Sequence, residues 1–114
     1  MSETTDQLRE RMQQLRDLIG EDEVQSIASV AMEEIPKKLV SIEAGIAAGE
    51  LEAVSRLAHG LKGDTGTLGI DDMAELAKTL EGAADPAQGI NPGELLEQLK
   101  VAYSASEPVL KEFL

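Results

Sequence analysis

Apolar residues recur every three or four positions along nearly the whole chain, and no stretch alternates with a period of two for long. An α-helix makes a turn in about 3.6 residues, so positions three and four apart share a face. Leu8, Met12, Leu15 and Ile19 are spaced 4, 3, 4. Val24, Ala28, Ala31, Ile35, Leu39, Ile42 and Ile46 are spaced 4, 3, 4, 4, 3, 4, and the stripe keeps its phase across Pro36. Proline removes a backbone donor and crowds the preceding turn. The unbroken phase therefore predicts one kinked helix. Gly20, Gly49 and Gly69 stand where these helices should stop, as the residue type that best ends a helix. A third helix is expected from about Glu50 to Leu68. A fourth should begin near Asp71-Asp72, acidic residues suited to a helix N-terminus, and carry Met73, Leu76, Ala77, Leu80 and Ala84. Asp85 to Gly89 reads as a loop. Asn91-Pro92 reads as a cap and first helical residue, opening a last helix with Leu96, Leu99, Tyr103, Ser106, Leu110 and Phe113 on its buried face. Short connections favour antiparallel neighbours. The expected fold is all-α, an antiparallel up-and-down four-helix bundle with a short additional N-terminal helix over one end. It forms a single domain over residues 1–114.

Composition narrows the function. The net charge is −12, cysteine is absent, and Tyr103, Phe113 and His59 are each the only residue of their kind. Without cysteine there is no disulfide frame, thiol chemistry or Cys-based zinc site. An acidic surface with two scattered aromatics suits neither a phosphate backbone nor base stacking, which argues against nucleic acid. No apolar run reaches the roughly 18–20 residues of a membrane span. The polar start Met1-Ser2-Glu3-Thr4 is unlike a signal peptide, and a cytoplasmic location is expected.

The lone histidine can be placed on a helical wheel at about 100° per residue. With His59 at zero, Leu57, Leu68, Leu61, Val54, Thr65 and Ala58 fall between about 160° and 260°. His59 lies opposite that apolar arc and should face solvent. Lys62 sits about 60° to one side, Gly63 about 40° to the other, and Gly66 about 20° away. Gly60, Gly63 and Gly66 inside one helix give up roughly 3 kcal/mol of helix propensity relative to alanine. An outward face does not need that loss for packing, so the missing side chains leave room for something to approach His59. Gly60, about 100° round, is placed to admit a neighbouring helix. Residues 55–70 carry Arg56 and Lys62 against Asp64, a net of +1, leaving −13 for the rest.

Leu57-Ala58-His59-Gly60-Leu61-Lys62-Gly63, followed by Leu68-Gly69, resembles the signature of histidine-containing phosphotransfer (HPt) domains. Glu33-Glu34-Ile35-Pro36-Lys37-Lys38 upstream and Leu80-Glu81 downstream look like further parts of that pattern, over about residues 20–85. Asp64, Thr65, Gly66 and Thr67 depart from the small residues, alanine and asparagine frequent there. Asp64 lies about 140° from His59 and should act on docking or packing rather than on the imidazole.

The resemblance implies a phosphorelay carrier. His59 would accept a phosphoryl group from a receiver-domain aspartate and pass it to another receiver. Lys62 would neutralise phosphoryl charge, and Gly63 and Gly66 would give clearance. Arg56 and Lys78, with Glu75 and Thr79, are the expected docking contacts. The expected partners are response-regulator receivers and a hybrid sensor histidine kinase, with the Mg2+ on the receiver and no cofactor, kinase or ATPase activity in this chain. The chain should be a monomer, free-standing or cut from a hybrid kinase. Three other readings compete. One is an HPt-like module that docks without transfer. Another is a purely structural acidic bundle. The third is a carboxylate-bridged metal bundle, which needs a Glu three residues before each of two histidines. Here that position is Arg56 and no second histidine exists.

Overall fold

A computed structural model of the chain describes residues 3–114. It contains five α-helices and, among the described residues, no strand: α1 (Glu3–Ile19), α2 (Glu21–Ala47), α3 (Leu51–Leu68), α4 (Asp71–Leu80) and α5 (Pro92–Lys111). Two 3-10 turns, Glu81–Ala84 and Pro86–Gln88, join α4 to α5. The packed pairs α2–α3, α3–α4, α4–α5 and α2–α5 close a ring around the core, and α1 lies against α2 and α5 and touches α3.

The spacing of the apolar residues decides which side of each helix is buried. Val24, Ala28, Ala31, Ile35, Leu39 and Ile42 of α2 are all buried, as are Val54, Ala58, Leu61 and Leu68 of α3. They cluster with Leu8 and Met12 of α1, Met73, Ala77 and Leu80 of α4, and Leu96, Leu99 and Leu110 of α5. Tyr103 and Phe113 are buried in the same cluster. Asn91 caps α5 by accepting the Glu94 N–H at 3.2 Å, with Pro92 at its first turn as expected. Gly69 ends α3 in the left-handed region at φ 77°, where its N–H reaches the Gly66 carbonyl.

Two expectations need correction. The N-terminal helix is not short: α1 has 17 residues, against 18 in α3. Its apolar stripe starts only at Leu8, but Thr5 is also buried and the acidic Glu3 and Asp6 favour the first turn of a helix. The fourth helix ends at Leu80, before Ala84, and the chain tightens into the two 3-10 turns within what reads as a loop. Asp85 shapes the second by accepting the Ala87 N–H at 3.0 Å.

Helix α2 runs through Pro36 as one element. An α-helical N–H bonds the carbonyl four residues back, so Pro36 leaves the Met32 carbonyl without its usual donor. The Tyr103 hydroxyl of α5 supplies one, across a long 3.5 Å. Burial, and then the negative charge of Glu107, pushes the Tyr103 phenol up to about 12, so the hydroxyl keeps its proton. The only tyrosine thus repairs the helix that the proline interrupts. Tyr103→Phe should cost about 0.5–1 kcal/mol in urea unfolding. In a Pro36→Ala background the cost should shrink, because a backbone N–H at position 36 then takes the same carbonyl. Equal costs in both backgrounds would contradict the repair.

Candidate functional site

Helix α3 turns Val54, Ala58, Leu61, Thr65 and Leu68 inward. The opposite face is solvent, and the His59 side chain stands on it 72% exposed. The Thr65 hydroxyl, buried under this face, returns to its own helix by donating to the Leu61 carbonyl at 2.8 Å.

The imidazole is exposed but not unpartnered. Its Nδ1 lies 3.0 Å from Oε2 of Glu81, the first residue after α4. The other Glu81 oxygen, Oε1, is cut off from water and faces the Lys62 ammonium at 2.6 Å. One carboxylate therefore bridges the histidine and the lysine. The Lys62 ammonium first, and the His59 hydrogen bond second, hold the Glu81 carboxyl below its ordinary range. At neutral pH it is ionised and can only accept hydrogen bonds. Nδ1 must then carry the proton it shares with Glu81. In the neutral imidazole this leaves the lone pair on Nε2.

The surroundings of the site are open. A Cβ added at Gly63 or at Gly66 would meet nothing within 4 Å. Gly60 differs, since a Cβ there would touch the Lys38 side chain of α2 at 3.6 Å. Lys38 pairs across the helices with Asp64. Asp64 therefore belongs to the α2–α3 contact and not to the imidazole. Arg56 and Lys78 are both exposed, and among the described residues neither forms an ion pair with an acid.

Of the residues singled out by sequence, the structure joins His59 and Lys62 through a third group and leaves Gly63 and Gly66 facing open space. It shows no contact of Arg56 or Lys78 with the imidazole. In the sequence Glu81 stands out only as half of a Leu-Glu pair, with no part in the site. Its partner lies 22 residues away on another helix, and helical spacing does not report on contacts between helices. Among the described residues, no three His, Cys, Asp or Glu side chains gather as a metal site. Nor, among the described residues, is any helix long and apolar enough to cross a membrane.

A protein-family model described as the Hpt domain matches residues 26–107. The match extends beyond residue 85, where the sequence resemblance weakens, and into α5. No curated protein and no solved structure matches the chain.

The depressed Glu81 carboxyl makes the bridge dependent on pH. A carboxyl whose folded value is lowered contributes stability above its unfolded value, and that contribution disappears as pH falls through the folded value. The difference in melting temperature between the wild type and Glu81→Ala should be full at about pH 6 and close as pH falls below the ordinary glutamate range. A difference that widens in acid would contradict the bridge.

Proposed function

The chain belongs to the Hpt domain family, and on that footing we propose that it accepts a phosphoryl group on His59 from a receiver aspartate and passes it to another receiver. Hpt domains are phosphocarrier modules of two-component phosphorelays. The observation that most supports this reading is the bridge: the exposed His59 has its Nδ1 on Glu81, which leaves Nε2 toward solvent.

The transfer needs little covalent machinery, because phosphoryl transfer depends mainly on positioning and charge neutralisation. The Nε2 lone pair attacks phosphorus, the bond from phosphorus to the aspartate oxygen breaks, and the aspartate leaves as a carboxylate. The ring keeps its Nδ1 proton and becomes a phospho-imidazolium. Glu81, already hydrogen-bonded to that proton, stabilises the positive charge as it develops. Onward transfer reverses these steps on another aspartate. Lys62 is held one helical turn from His59 by the same carboxylate. An incoming phosphoryl group offers it a second, more highly charged acceptor. Gly63 and Gly66 give the receiver clearance. Arg56 and Lys78, which form no ion pair among the described residues, are docking contacts for the receiver.

In this reading α2 to α5 are the antiparallel up-and-down bundle, and the chain acts as a monomer in the cytoplasm with no ATPase activity of its own. A hybrid sensor kinase and response-regulator receivers are its partners, and the Mg2+ sits on the receiver. Incubation with a phosphorylated receiver should label the wild type with an acid-labile, base-stable phosphate, and His59→Gln should abolish the label. Lys62→Ala should slow labelling about tenfold, as expected when a charge-assisted contact is lost. A label that survives in His59→Gln would refute the assignment. A receiver that binds normally but transfers nothing would make the chain a docking module instead.

A further inference from the structure

Glu81 can orient the imidazole only if its own backbone is held, and its position in the chain does not guarantee that. It is the first residue of a four-residue 3-10 turn, just past the end of α4. In a continuing α-helix its carbonyl would accept the N–H of Asp85. That N–H turns instead to the Gly82 carbonyl at 3.0 Å. Within the 3-10 turn the Glu81 carbonyl bonds three residues ahead, in the poorer geometry of that helix, and its other lone pair can take an outside donor.

That outside donor comes from α3. The Ser55 hydroxyl donates to the Glu81 carbonyl, across 26 positions of sequence. Ser55 lies four residues before His59, one turn away on the same side of the helix. Ser55 and His59, which both hold Glu81, therefore come from one face of one helix, and Lys62 of the same helix meets its other carboxylate oxygen. Ser55 holds its main chain, and His59 itself meets its carboxylate at 3.0 Å.

We propose that Ser55 is a positioning residue for the phosphotransfer site: by anchoring the Glu81 carbonyl it holds the carboxylate on Nδ1 and so keeps the reactive lone pair on Nε2. The proposal rests on His59 being the phosphoryl acceptor. Its primary readout is nevertheless taken on the unphosphorylated chain, so the two can fail separately.

The test is the proton distribution on the His59 ring, read from its nitrogen-15 shifts at a pH where the imidazole is neutral. The wild type should be mainly the Nδ1–H form. Ser55→Ala should lower the ratio of the Nδ1–H to the Nε2–H form about fivefold, the weight of one ordinary hydrogen bond. Ser55→Thr, which restores a hydroxyl, should return it to the wild-type ratio, and Glu81→Ala should mark the fully released value. With a phosphorylated receiver, labelling of Ser55→Ala should be slower than wild type and recover in Ser55→Thr. Ring shifts in Ser55→Ala equal to the wild type would overturn the proposal, and so would a loss that Ser55→Thr fails to restore. Ring shifts that change as expected in a chain that takes no phosphate would leave the positioning intact and remove the phosphotransfer reading.

Discussion

A single carboxylate, that of Glu81, connects the parts of this structure that matter for its chemistry. It accepts from His59 Nδ1 on one oxygen and meets Lys62 on the other. An exposed imidazole would otherwise exchange its proton between two nitrogens and rotate freely about its side-chain bonds. Here the carboxylate sets both the tautomer and the ring orientation. The same contact keeps the Lys62 ammonium one helical turn from His59.

That carboxylate is available only because of how the helices pack. α3 and α4 lie side by side, and the short α4 stops at the level of His59 on its neighbour. Leu80 and Ala83 are buried on either side of Glu81 and tie the turn to the core. On the far side of α3, the Lys38–Asp64 pair links it to α2. The Tyr103 hydroxyl links α2 in turn to α5, through the carbonyl that Pro36 leaves free. These polar contacts are few, and each joins two helices whose apolar faces already meet. The apolar stripes decide which helices pack, and the polar contacts fix how they are set against one another.

Much of this was legible in the chain. The three-four spacing located the buried faces of α2 and α3, including the unbroken stripe across Pro36, and the wheel put His59 on the solvent side. The length of α1 was less legible, because its first turn holds no large apolar residue and is buried through Thr5. The end of α4 at Leu80 was missed for a related reason: Ala84 continues the helical spacing, but spacing cannot distinguish an α-turn from the tighter 3-10 turn that follows. Glu81 was the largest omission in the site. Wheels describe one helix at a time, while its contacts with His59, Lys62 and Ser55 all cross from α3 to the turn after α4. Asp64 shows the same limit from the other side. Its angle excluded contact with the imidazole, but only the packing of α2 showed that Lys38 is its partner.

The central claim is that the reacting atom is Nε2 of His59, selected by the carboxylate on Nδ1. Phosphorus–nitrogen correlation spectroscopy on the chain, labelled with nitrogen-15 and phosphorylated by a receiver, tests it most directly. The account predicts a single phosphorus signal coupled to Nε2 of His59, with Nδ1 still protonated. Coupling of phosphorus to Nδ1, or a phosphorus signal with no nitrogen partner in this ring, would contradict it.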